Sequence, residues 1–78
     1  MKKKFEVGDY VITLVRGIAY DTMTFIPKDS QGIVGAVGVP VVRNIGKGLT
    51  FNCVDFVING KLERSSYYNN EIDFVLLK

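Results

Sequence analysis

The stretch FIPKDSQGIVGAV, residues 25–37, sets the terms on which the rest of the chain is read. A proline, a polar tip and a glycine precede an apolar run rich in β-branched residues. Pro27 fixes its own φ and holds Ile26 extended. Asp29 and Ser30 carry short side chains that hydrogen-bond the local backbone of a turn. Gly32 then opens a strand. Each residue of this loop has a structural task, so it is read as a turn leading into a strand and not as a seat of chemistry.

Outward from this turn the same punctuation recurs. No stretch carries a sustained apolar stripe at helical spacing, and valine, isoleucine, phenylalanine and tyrosine alternate between glycine-marked turns. The pattern predicts five strands: residues 10–15, 32–39, 49–58, 61–67 and 72–76. The first opens at the Gly8-Asp9 turn, and a long connection, residues 16–28, follows it. Pro40 ends the second strand or marks an edge, and residues 43–48 turn into the third. Asn59-Gly60 is the type I′ hairpin dipeptide. A tight or 3₁₀ turn is expected at residues 68–70. In the third strand the apolar phase changes, from Leu49, Phe51 and Cys53 to Val54, Phe56 and Ile58, which predicts a bulge or bend near Cys53. The 78 residues are expected to form a single all-β domain with residues 1–4 as a basic flexible arm. So short a chain closes most economically as a small, bent, partly open barrel.

Composition excludes several chemistries. There is no histidine, which removes the usual acid–base residue at neutral pH and the commonest metal ligand. Cys53 is the single cysteine, so no disulfide framework or thiolate-rich metal site is expected. A lone cysteine fits a reducing, cytoplasmic setting, and no cofactor or metal is expected. The net charge of +2 arises mainly from Lys2, Lys3 and Lys4. Glu6 and Asp9 interrupt any secretory apolar core. The longest apolar stretch, residues 33–42, contains Gly35, Gly38 and Pro40 and is shorter than the roughly 20 residues a membrane helix needs. No membrane association is expected.

The elements FEVGDYV near the start, IPKDSQGIV after a long loop, then VDF, NG and NEIDFV, follow a familiar order. The chain resembles the small SH3-like β-barrels of bacterial, phage and plasmid origin, in which a Gly-Asp-x-Val strand precedes a Pro-x-Gly-x-x-Gly-x-Val element. KOW-type domains and the barrels of photosystem I accessory subunits are similar in plan. The resemblance spans about residues 5–76. Asp29 stands where a glycine is common, and residues 39–48 form an unusually long connection. The resemblance implies a single five-stranded, partly open SH3-like barrel. It also implies a small accessory protein, such as an adaptor or inhibitor of a larger bacterial machine.

The candidate residues are weighed against plainer roles. Gly32, Gly35 and Gly38 are strand glycines that mark bends or close backbone approach. The carboxylates are dispersed, and Asp55 is read as an outward-facing strand residue or the partner of a turn. Cys53 has neither a histidine base nor a local positive field, so it is read as a buried free thiol. Four tyrosines are more than so small a barrel needs inside. Tyr20 in the long loop and Tyr67 with Tyr68 before the last strand are expected to share a surface patch, rimmed by Arg16, Asp21 and Arg64. The plainer alternative makes two of the tyrosines half-buried packing residues.

The leading expectation is therefore a non-catalytic protein-interaction module, monomeric or weakly dimeric, with no cofactor. The alternative is a KOW-like RNA- or DNA-binding domain using Lys2, Lys3, Lys4, Arg43 and Lys47. A hydrolase is disfavoured because the usual acid–base and metal-ligand sets are missing.

Overall fold

A computed structural model describes residues 4–40 and 50–75. The described chain is all-β apart from a single 3₁₀ turn. In order, the strands are β1 (Tyr10–Thr13), β2 (Gly17–Ile18), β3 (Phe25–Ile26), β4 (Gln31–Pro40), β5 (Thr50–Ile58), β6 (Lys61–Tyr67) and β7 (Ile72–Phe74). The 3₁₀ turn, Asn69–Glu71, lies between β6 and β7. Five strands form one antiparallel sheet in the order β6-β5-β4-β1-β7. The outermost strands, β6 and β7, are not paired to each other, so the sheet does not close into a barrel.

Strands β2 and β3 pair as a small ribbon inside the long connection, where the residue pattern predicts no strand. They are too short to leave a periodic signal. The expected turn at residues 43–48, Leu49 and Leu76 lie outside the described residues.

The hairpin at Asn59-Gly60 has positive φ at both positions, 52° and 79°, as a type I′ turn requires. Strand β5 runs without the expected bulge. The extra residues lie on β4 instead: the register runs Val34↔Val54, Ala36↔Cys53, Val39↔Phe51. One extra residue falls at Gly35 and another between Ala36 and Val39. Gly38, at φ +63°, supplies backbone freedom at the second shift. The apolar phase change in β5 has a different cause from a bulge. Asn52, Val54 and Phe56 are buried against the core, while Cys53 is buried on the opposite face beneath Tyr20.

The core comprises Phe5, Val11, Ala19, Ile26, Val34, Val54, Phe56, Tyr67 and Ile72. Ala19 and Ile26 bring the β2–β3 ribbon onto the main sheet. Phe56 meets Tyr67 edge-on at 6.0 Å between ring centroids, and Phe5 packs on Phe74 at 4.6 Å.

The turn after Pro27 is knitted to one buried residue, Thr13. Thr13 N–H donates to the Ser30 carbonyl (2.9 Å), and its carbonyl accepts from Asp29 N–H (2.9 Å). Its hydroxyl donates to the Pro27 carbonyl (3.2 Å) and accepts from Ser30 N–H (2.9 Å). Asp29 sits at φ +68°, the left-handed conformation that aspartate and asparagine tolerate better than most residues besides glycine. Thr13→Val keeps the shape but strands the Ser30 N–H. It is expected to cost about 1–3 kcal/mol in chemical denaturation. An unchanged midpoint would show that the hydroxyl does not hold the turn.

Candidate interaction face

Side chains alternate across a strand, so the register decides what the sheet presents away from its core. The pairs Tyr10↔Ile33, Ile33↔Asp55 and Asp55↔Arg64 set four residues in one row across β1, β4, β5 and β6. Val57↔Leu62 forms the neighbouring row. Tyr10 and Ile33 are exposed, and Val57 and Leu62 are 73% and 72% exposed, high for apolar strand residues. Tyr10, Gln31, Ile33, Asp55, Val57 and Val75 line a shallow groove of about 420 Å³.

At the β6 end of the row lies a two-pronged ion pair. Arg64 Nε donates to Asp55 Oδ1 at 2.6 Å and Nη2 to Oδ2 at 2.9 Å. Gly35 makes room for it, since a Cβ there would stand 2.5 Å from Arg64 Nη2 and 2.6 Å from Asp55 Oδ2. Hydrogen bonding from Arg64, reinforced by its charge, holds the Asp55 carboxyl below the usual carboxylate range. A carboxyl lowered in the folded chain stabilises above the unfolded pKa of about 4, and that contribution is lost as pH falls through the folded value. With Arg64 47% and Asp55 20% exposed, solvent screening keeps the effect within about 1 kcal/mol. The stability lost between pH 7 and pH 3 is therefore expected to be smaller in Asp55→Asn than in the wild type. Equal losses would show that the pair adds nothing to folding.

Beside the pair, the loop between β2 and β3 folds over β6. Tyr20 N–H donates to the Arg64 carbonyl at 2.9 Å, and Ser65 Oγ donates to the Ile18 carbonyl at 2.7 Å. Thr22 and Thr24 hydroxyls donate to the buried Glu63 carboxylate at 2.6 and 3.2 Å. The Tyr20 hydroxyl lies 3.8 Å from Cys53 Sγ. Burial raises its pKa, opposed by a hydrogen bond with Ser66. Between this loop and β6 opens a cleft of about 330 Å³ lined by Asp21, Thr22, Asp55, Leu62, Glu63 and Arg64. Asp55 lines both hollows, so groove and cleft adjoin.

Of the residues singled out from sequence, Tyr20, Asp21 and Arg64 come together around this cleft. Tyr68 is exposed on a small depression shared with Phe51 and Ser66. Tyr67 is corrected: it is 2% exposed and belongs to the core, so it cannot anchor a partner. Tyr67 ends β6 facing inward, and its neighbour Tyr68 is left outside. Arg16 is exposed and lines neither the groove nor the cleft. Lys4 is exposed, while Lys2, Lys3, Arg43 and Lys47 lie outside the described residues.

Tyr10, Ile33, Val57, Leu62 and Val75 are functional candidates that sequence reasoning missed. Part of the signal was present. With Asn59-Gly60 as a two-residue turn, 57 must face 62 and 55 must face 64.

Among the described residues no group of three or more histidine, cysteine or acidic side chains is placed to hold a metal ion, and no helix is long and apolar enough to cross a membrane. Compared with models of protein families, with curated proteins and with solved structures, the chain matches none.

Proposed function

We propose that this chain is a non-catalytic protein-binding module on an SH3-like plan, and that its partner docks on the outward face of β1, β4, β5 and β6. The carrying observation is the exposed cluster of Tyr10, Ile33, Val57 and Leu62 beside a fixed Asp55–Arg64 pair. Apolar surface grouped within a polar rim is typical of docking sites, and tyrosine and arginine are the common anchors at interfaces. The order of a first strand, a long connection, three antiparallel strands, a 3₁₀ turn and a short last strand supports the SH3-like plan. A small adaptor or inhibitor of a larger bacterial machine is the role that plan implies.

The face offers little to a phosphate backbone, because Arg64 is neutralised by Asp55 and Asp21 stands nearby. The test is capture from lysate of the source cell by wild type, by Val57→Asp/Leu62→Asp, and by Val7→Asp. Val7 is exposed and does not line the groove or the cleft. A partner that survives nuclease, is lost with the double variant and is kept by Val7→Asp is the expected result. A catch abolished by nuclease, or indifferent to the double variant, would overturn the reading.

A further inference from the structure

The charge beside the apolar groove narrows what can dock there. The cleft holds three carboxylates, Asp21, Asp55 and Glu63, against one guanidinium. Arg64 is committed to Asp55 through both Nε and Nη2. Glu63 is 5% exposed, and the donors it accepts from are neutral hydroxyls that bring no positive charge. Asp21 is exposed and has no hydrogen-bond or ion-pair partner among the described residues. The cleft is thus acidic after its internal pairing is complete. Its carboxylates do not converge as metal ligands would. A longer cation that enters from outside fits this arrangement. An acidic partner would meet like charge next to surface that docking must desolvate, which disfavours it.

We propose that the docking segment of the partner is an extended stretch with a lysine or arginine side chain in the cleft of Asp21, Asp55 and Glu63, and a large apolar side chain in the groove of Tyr10, Ile33, Val57 and Val75. This rests on the reading of the face as a protein-docking surface and names the chemistry of its occupant. Because Asp55 lines both hollows, the two anchors are close neighbours on the partner. The apolar anchor supplies area, and the basic one supplies orientation and selectivity.

The experiment pans a displayed random-peptide library against the full immobilised chain, then measures a labelled selected peptide by fluorescence anisotropy. The chains compared are wild type, Asp21→Lys, Val57→Asp and Val7→Asp, each first shown to melt as wild type does. The selected peptides are expected to share a lysine or arginine beside a bulky apolar residue. Asp21→Lys and Val57→Asp are each expected to weaken binding about tenfold or more, with Val7→Asp unchanged. Added salt should weaken binding to wild type more than to Asp21→Lys.

Peptides without a basic residue that are lost with Val57→Asp but indifferent to Asp21→Lys would overturn the basic occupant and leave the docking face standing. Peptides indifferent to both would remove the face as well. A library that yields no binder would overturn the extended-segment occupant. A wild type that sediments as a dimer while Val57→Asp sediments as a monomer would assign the face to a second copy of the chain and overturn the proposal.

Discussion

Gly32→Ala is expected to abolish or severely weaken cooperative folding. Gly32 sits in β4 opposite Val11, with residues of β5 packed close against it. A Cβ there would lie 2.7 Å from the Asp55 carbonyl oxygen, 2.8 Å from Val54 Cγ1 and 2.9 Å from Phe56 Cδ1. Neither partner side chain has room to yield, since Val54 and Phe56 are in the core, and the third atom is backbone in a paired strand. Overpacking of this kind costs about 1–3 kcal/mol and sometimes more. A domain of this size holds only about 3–5 kcal/mol in reserve.

The expected result is a melting temperature lower by about 10–20 °C, or no cooperative transition at all. Gly38→Ala is the useful comparison. A Cβ at Gly38 meets nothing within 4 Å, but φ is +63°. It should show only the conformational cost of about 1–2 kcal/mol. Equal destabilisation by the two variants would mean that steric closeness at Gly32 is not what the strand pairing demands.

The second large effect is a coupling between Gly17 and Tyr67. A Cβ at Gly17 would stand 2.5 Å from the Tyr67 hydroxyl oxygen and 3.0 Å from Cζ. Tyr67 is fully enclosed and leans edge-on against Phe56, so it cannot swing away. Its hydroxyl meets no partner at hydrogen-bonding geometry, and the adjacent Ser65 hydroxyl donates to the Ile18 carbonyl. Burial pushes the Tyr67 pKa up, and the nearby Ser65 hydroxyl only partly offsets this.

Gly17→Ala is expected to cost about 1–3 kcal/mol. Tyr67→Phe removes an unsatisfied buried oxygen and should be neutral or stabilising by up to about 1 kcal/mol. When Gly17→Ala is made together with Tyr67→Phe, its cost should fall by about 1 kcal/mol or more, read from a double-mutant cycle in urea. Additive effects would show that the two residues are not in contact in the folded chain.

Much of the strand plan could be read from residue order, because turn chemistry is local. Asn59-Gly60 can be recognised as a type I′ turn without the rest of the chain, and a two-residue turn determines every pairing of β5 with β6. Asp55 opposite Arg64 and Val57 opposite Leu62 follow from it by counting. The turn at residues 27–30 was legible for the same reason, although its anchor, Thr13, is distant in sequence and sends no local signal. The β2–β3 ribbon was not legible, since two residues per strand carry no period. The apolar phase of β5 pointed to a bulge on the wrong strand. A change in apolar phase also arises when residues on both faces are buried, and Cys53 is buried by Tyr20, a contact between residues 33 apart.

The candidate site divides along the same line. Tyr20, Asp21, Arg64 and Tyr68 stand out in the sequence as tyrosines and charges in loops or on a strand, and all four are exposed. Tyr67 stands out with them because side chains adjacent in sequence look alike there, although alternation puts neighbours on opposite faces of a strand. The row from Tyr10 through Ile33 to Asp55 and Arg64 joins four strands whose pairings depend on the bulges of β4 and the return of β1 beside it. No local rule specifies the pairings of β1 with β4 or of β4 with β5.

By itself, then, the sequence determined an all-β chain, its main turns, the register of the β5–β6 hairpin and the absence of histidine chemistry. Each of these depends on neighbouring residues or on composition. Only the tertiary structure decided which tyrosine is buried, that the sheet is left open between β6 and β7, and that apolar groove and acidic cleft adjoin at Asp55. Those depend on contacts between segments far apart in the chain, where packing and register select one arrangement among several that the local preferences allow equally.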